Sequence, residues 1–267
     1  SRGPGETKIE LDRRRIRTRM AKLRYAVADG IATITFDSQH NRNALSRALV
    51  TGLLESLDRA VADDAVKVVV IRAEGRTFCS GADLSEAATV GMEEAAGVIV
   101  DLQRRIVELP KPVVTRLHGA VRAGGIGIVA ASDIAISAED ATYALTEVKL
   151  GLAPAAISLT VLPRLTSRAA QLTFLTGETF NGTAAAEMGL VTKAVPEAEL
   201  DDAVAQVCAQ LATGHPQGLR ETKGLLGRAV VADIEAHGAD LARLSARLFG
   251  SDEAKEAMLA FLSRKKK

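Results

Sequence analysis

The sequence predicts an α/β fold, and three observations carry that reading. Strand, turn and helix signals alternate from Tyr25 to about residue 195. The apolar run from Val66 to Ile71 is short enough for a buried strand and too short for a helix. Beyond about residue 195 the strand signals fade and Ala- and Leu-rich helical patterns take over.

Taken in order, Tyr25-Ala26-Val27 and the stretch from Ile31 to Phe36 flank Asp29-Gly30, which predicts a β-hairpin. Leu49, Leu53, Leu54, Leu57, Ala60 and Val61 then recur at helical spacing, and the strand from Val66 to Ile71 follows. A helix from about Met92 to Leu109 ends at Pro110. Pro112 opens a strand from Val113 to Leu117, because the residue before a proline is pushed towards extended geometry. Gly124, Gly125 and Gly127 begin the next helix, and Asp133 to Ile136 is a further strand. The tail divides into helices from Leu200 to Leu211, Pro216 to Val231 and Ile234 to Leu248. A tail of this kind packs on something else, either a neighbouring subunit or its own core.

Three regions follow: an appended charged segment at 1–19, a core at 20–195 and a helical region at 196–267. The first segment is rich in Arg, Lys and Glu and carries no apolar face at helical spacing. Gly3-Pro4-Gly5-Glu6-Thr7 through Leu11-Asp12-Arg13-Arg14-Arg15-Ile16 resembles a stretch of HflX-type ribosome-associated GTPases. No Walker-type phosphate loop follows it, so the segment is expected to be a tag, a fusion or an extended start rather than part of a GTPase.

Composition bounds the function. Of the 267 residues 47% are hydrophobic and 25% charged, enough apolar surface for one substantial core. A formal net charge of +1 offers no global field for a polyanion, and nucleic acid is not an expected partner. No run of about 18 apolar residues is present, and charges stand where a secretory signal needs an apolar core. A cytoplasmic protein without a membrane partner is therefore expected. Cys79 and Cys208 lie far apart, which predicts reduced thiols with neither a disulfide framework nor a metal site.

Two small-residue turns carry the chemistry. Phe78-Cys79-Ser80-Gly81-Ala82-Asp83-Leu84 follows a strand, and small residues let backbone N–H groups approach a ligand. Some forty residues on, the run from His118 to Gly127 supplies a second such turn at a helix start, where free N–H groups favour negative charge. Two such sites can converge on one oxyanion. His118, beside a glycine turn, is expected to be structural.

These turns, in sequence with Asn41-Arg42-Asn43-Ala44-Leu45, with Lys111-Pro112-Val113-Val114 and with Thr146-Glu147-Val148-Lys149-Leu150-Gly151-Leu152-Ala153-Pro154, resemble the enoyl-CoA hydratase/isomerase (crotonase) superfamily. The resemblance runs from about Tyr25 to the C-terminus and extends through Ala169 to Gly177 and Ala184 to Val191. Within it, the Gly124–Asp133 run and Ala153 to Ser158 look like the methylglutaconyl-CoA hydratase-like branch.

The resemblance implies a spiral of ββα repeats with a C-terminal helical trimerisation region, assembled as a homotrimer or homohexamer. It implies an acyl-CoA thioester substrate whose oxygen is bound by the N–H groups of Ala82 and Gly124. Coenzyme A is part of that substrate, and no other cofactor is expected. The loop with Phe78, Ser80, Gly81, Asp83 and Leu84 would receive the adenine and pantetheine, with Arg42 near the CoA chain and Gly125 and Gly127 beside the bound substrate. Phe261 and Arg264 would touch the CoA nucleotide.

Reaction type rests on acid and base groups. Family hydratases commonly carry two glutamates, at the positions of Gly127 and Glu147, and here only Glu147 is present. Its apolar neighbours Leu145, Val148 and Leu150 would raise its pKa by desolvation. Hydration of a 2-enoyl-CoA is the first expectation, with Glu147 both positioning the water and delivering the α-proton, or with a water held by backbone groups in the space left at Gly127. Isomerisation of a 3-enoyl-CoA by one glutamate is the alternative, and non-catalytic acyl-CoA binding is a third reading. Arg122, just before the helix-start glycines, either faces solvent or a CoA phosphate, or binds an acyl-chain carboxylate such as that of 3-methylglutaconyl-CoA.

Overall fold

The computed structural model describes residues 23–83, 86 and 91–264, with side chains through residue 260. The expectations for the segment 1–19, for Leu84 and for the side chains of Phe261 and Arg264 lie outside the described residues.

β1 (Leu23–Ala28) and β2 (Ile31–Phe36) form the antiparallel hairpin that Asp29-Gly30 predicts. Both turn residues have positive φ, 51° and 77°, the geometry whose twist matches the flanking strands. Helix α1 (Arg47–Ala62) starts where Ser46 caps it, the Oγ accepting the Leu49 N–H at 3.2 Å. Its buried face is Leu49, Leu53, Leu57 and Ala60, at the spacing that identifies it in the sequence.

From there a ββα unit repeats three times. The units are β3 (Val68–Ala73), β4 (Thr77–Cys79) and α2 (Met92–Glu108); β5 (Val113–Leu117), β6 (Ala120–Arg122) and α3 (Gly124–Ala131); and β7 (Ile134–Ala138), β8 (Thr142–Ala144) and α4 (Ala155–Val161). The first strand of each unit enters a six-stranded sheet and the second enters a four-stranded one, so the chain advances as a spiral. α5 (Ser167–Thr176), β9 (Thr179–Asn181), α6 (Gly182–Glu187) and β10 (Lys193–Val195) complete the two sheets. Their orders are β1-β2-β3-β5-β7-β10 and β4-β6-β8-β9. The long first strands are buried along almost their whole length, with Arg72 and Ile134 partly exposed, which is why they read as near-continuous apolar runs. The three-residue second strands escape the sequence reading because they are too short to show alternation.

After β10 the chain is helical: α7 (Leu200–Ala212), α8 (Pro216–Phe249) and α9 (Asp252–Arg264). The spacing predicts two helices where α8 is one, since no Gly or Pro between Val231 and Ile234 breaks it. α8 packs on α2 and α4 of its own chain, burying Ile234 with Val100 and Leu159. Lys223 fixes this docking with hydrogen bonds of 3.0 Å to Ile106 O and 3.1 Å to Lys111 O and a 2.7 Å ion pair with Asp133. Among the described residues no helix is long and apolar enough to cross a membrane.

Candidate active site

β4, β6 and β8 lie side by side and run parallel, with Cys79 opposite Val121 and Arg122 opposite Ala144. Ala82, Gly124 and Glu147 each follow the carboxyl end of one of these strands by two or three residues. Neighbouring strands are about 4.8 Å apart, so the topology gathers at one sheet end three groups that are far apart in sequence. Strand carboxyl ends are where open α/β sheets place their ligands.

The two turns pack directly on each other. A Cβ on Gly81 would stand 2.7 Å from the Ala123 Cβ, one on Gly125 2.7 Å from the Cys79 Cβ, and one on Gly124 2.7 Å from Leu45 Cδ1. Leu45 in turn pairs with Ala82 and donates its N–H to Gly81 O at 2.8 Å. Ala123, immediately before α3, has φ 46° and ψ −120°. That conformation is strained for a residue with a side chain, and strain of this kind concentrates at functional sites. It sets the start of α3 so that Ile126 N–H reaches Ala123 O at 2.8 Å, while Gly124 and Gly125 keep the free N–H groups of a helix start. Among the described residues neither Ala82 N–H nor Gly124 N–H donates to a protein acceptor.

Glu147 sits in the first turn of a 3₁₀ helix, Thr146–Leu150, that ends at Gly151 with φ 70°. Its Oε2 is buried without a hydrogen-bond partner. Burial pushes its carboxyl up from the ordinary 4.5 to about 7. A desolvated carboxyl with a free oxygen, titrating near neutrality, can take up and return a proton.

Other residues singled out by sequence have surroundings that the sequence does not show. Phe78 is wholly buried in the core with its ring 5.6 Å from that of Phe36. Arg122 folds back along its own sheet, donating to Val121 O at 2.9 Å, Thr142 O at 2.5 Å and Thr142 Oγ1 at 3.1 Å. Two of its three guanidinium nitrogens are therefore engaged by β6 and β8. Gly127 is also buried, and a Cβ there would lie 2.8 Å from Ile157 Cγ2 and 3.1 Å from Gln103 Oε1. Those two side chains crowd the position where a side chain would leave the Gly127 backbone.

The remaining residues form the rim. Arg42 is exposed with φ 58°, in the turn that follows β2. Ser80 Oγ donates to Asn41 O at 3.3 Å and Asn41 Nδ2 to Asp83 Oδ2 at 3.1 Å, tying that turn to the one after β4. Asn43 fastens the same turn from below. Its Nδ2 donates to Glu74 O at 3.1 Å and Thr77 O at 2.7 Å, and its Oδ1 accepts Ser38 N–H at 2.7 Å. The sequence flags Asn43 only as part of a motif, and its positive φ of 53° explains why asparagine stands there. His118 is structural, with ring nitrogens 2.9 Å from the Arg116 guanidinium and 2.7 Å from Gly75 O. Cys79 is buried, and desolvation pushes its thiol up to about 12, which makes it inert.

A cavity of about 340 Å³ opens at Ala82 and runs between α1 and α2. Its walls are mainly apolar, with Leu45, Val50, Leu54, Met92, Val98 and Ile99 among them. Arg47, on its edge, is paired with Glu94 at 3.1 Å. A larger groove of about 610 Å³ between α2 and α8 shares no residue with the strand ends.

Comparison with known proteins agrees with this fold. Residues 26–267 match the family described as enoyl-CoA hydratase/isomerase. A Bacillus subtilis (strain 168) protein named as a probable enoyl-CoA hydratase is 33% identical over 92% of this chain and 98% of its own. The 1,2-epoxyphenylacetyl-CoA isomerase of Escherichia coli (strain K12) is 29% identical over 90% of this chain and 94% of its own. The crystal structure of an enoyl-CoA hydratase from Mycobacterium avium superposes with a TM-score of 0.86 at 46% identity, covering 91% of this chain and 96% of that one.

Proposed function

Because the chain belongs to the enoyl-CoA hydratase/isomerase family, we propose that it hydrates a 2-enoyl-CoA thioester with Glu147 as its one acid/base and the N–H groups of Ala82 and Gly124 as its oxyanion donors. The observation that carries this reading is the buried, unpartnered Oε2 of Glu147 at the end of the strand beside the one leading to Gly124. The ionised carboxyl takes a proton from water as the water oxygen bonds to C3. The C2=C3 electron pair moves onto the thioester oxygen, where two preorganised donors hold the enolate. The carboxyl then returns the proton to C2, and the enzyme is restored without a second acid or a cofactor.

A second reading is favoured by the filled position at Gly127. With no second carboxylate there, and with Ile157 and Gln103 crowding the Gly127 backbone, Glu147 can instead remove a C2 proton from a 3-enoyl-CoA and deliver it to C4, which is isomerisation. The apolar cavity at Ala82 suits an uncharged acyl chain. A 3-methylglutaconyl chain is the less favoured substrate in this reading, since Arg122 hydrogen-bonds to Thr142 and Arg47 pairs with Glu94. Loss of catalysis altogether is disfavoured, because a carboxylate kept desolvated serves no purpose in a site that only binds. Assembly as a trimer or hexamer goes with this reading. The exposed leucines Leu172, Leu175, Leu225 and Leu226 give such an assembly apolar surface.

The test is turnover of crotonyl-CoA, a 3-enoyl-CoA and 3-methylglutaconyl-CoA, followed by the absorbance of the conjugated thioester. Since the first step needs the ionised carboxyl, kcat/KM should rise with pH and level off above about 7, the value to which burial pushes Glu147. A profile flat across that range would remove Glu147 from the role.

A further inference from the structure

Among the buried polar residues of the described chain, Gln103 has the placement that the proposed chemistry leaves unexplained. It is 1% exposed and stands in the apolar stripe of α2 that includes Ala96, Val100 and Val107. Its amide is fully used. Nε2 donates at 3.0 Å to Ile99 O in its own helix and at 3.0 Å to Ala156 O in α4, and Oε1 accepts Thr160 Oγ1 of α4 at 2.5 Å. The Thr160 hydroxyl also lies 3.5 Å from Gly127 O in α3. The hydroxyl has one proton and gives it to Gln103, so the hydrogen bonds join α2, which walls the cavity through Val98 and Ile99, to α4, which follows the Glu147 turn, while α3, which begins with Gly124, packs against the amide at Gly127, where an added Cβ would lie 3.1 Å from Gln103 Oε1.

We propose that Gln103 is a positioning residue that fixes the Gly124 N–H relative to Glu147 by locking α4 onto α2, with α3 packed against the locked amide at Gly127. The proposal rests on the oxyanion-hole reading given above. A packed core of apolar side chains allows helices to slide by a fraction of a residue at small cost. Directional hydrogen bonds from a buried amide do not, because any slide leaves a desolvated donor or acceptor unpaired. Displacement by about 1 Å at a catalytic group is worth up to about 100-fold in rate. Gln103 touches no reacting atom, so its loss should lower kcat and leave KM nearly unchanged.

The experiment uses the carbonyl stretch of an isotope-labelled saturated acyl-CoA bound to the protein, which reads polarisation by the hole without any turnover, together with kcat and KM on the best substrate. In the wild type the stretch should fall below that of the free thioester. In Gln103→Leu and in Thr160→Val it should return most of the way, with kcat reduced about 10-fold to 100-fold and KM within about 3-fold. Thr160→Ser, which keeps the hydroxyl, should retain the wild-type stretch and rate. Should Gln103→Leu fail to fold, Thr160→Val carries the same comparison. Folded variants that lose thermal stability but keep the wild-type stretch and kcat would overturn the proposal. A wild-type stretch equal to that of free thioester would instead overturn the oxyanion-hole reading beneath it.

Discussion

Glu147→Gln is expected to lower kcat by about 10²- to 10⁴-fold, the contribution of a positioned general acid/base, while acyl-CoA affinity stays within about 2-fold. The amide keeps the size of the side chain and loses only its proton chemistry. The same substitution should make the protein more stable near pH 8. In the folded state the carboxyl titrates at about 7, against an ordinary 4.5. Between those values the folded chain holds a proton that the unfolded chain has released, so stability falls as pH rises across that window, by about 3 kcal/mol in all. Above about pH 7 the full cost of the buried charge remains, and the neutral amide of the variant escapes it. Urea denaturation at pH 5 and pH 8 should therefore show little difference between variant and wild type at the lower pH and a clear gain for the variant at the higher. Turnover within a few-fold of wild type, or a variant less stable at pH 8, would contradict this account.

Gly81→Ala is expected to lower kcat by about 10²- to 10³-fold through the hole rather than through the base. Gly81 has φ 93°, and a Cβ there would stand 2.7 Å from the Ala123 Cβ. The new methyl forces the turn bearing Ala82 away from the start of α3, and one of two donors is lost to the enolate. The strained backbone adds about 1–2 kcal/mol of destabilisation, measurable as a lower urea midpoint. Gly97→Ala is the control, since a Cβ on that helical glycine meets nothing within 4 Å and alanine is the better helix former. Equal kcat in the Gly81 and Gly97 variants would show that the contact of the two turns has no bearing on the chemistry.

What the sequence revealed depended on how local the signal was. The Asp29-Gly30 hairpin, the strand opened by Pro112 and the glycine turns at Gly81 and Gly124 are written in adjacent residues, and each stands where it was expected. The apolar neighbours of Glu147 likewise foretold a desolvated carboxyl. The surroundings of Arg122, Phe78 and Gly127 are not legible in the sequence because they come from distant chain: Thr142 for the arginine, Phe36 for the ring, Gln103 and Ile157 for the glycine. One missed residue did leave a trace. Gln103 is a polar side chain at helical spacing from Ala96, Val100 and Val107, and a polar group in an apolar stripe has to find partners inside the fold.

Proton exchange at C2 of a bound saturated acyl-CoA in D₂O tests the central claim most directly, because it needs the enolate and nothing further along the reaction. Wild-type protein with butyryl-CoA, followed by proton NMR, should replace a C2 hydrogen by deuterium, and Glu147→Gln should abolish the exchange while still binding the thioester. Exchange that persists in Glu147→Gln at the wild-type rate, or its absence from a wild type that turns over enoyl-CoA, would contradict the assignment of Glu147 and the two N–H groups as the enolate-forming site.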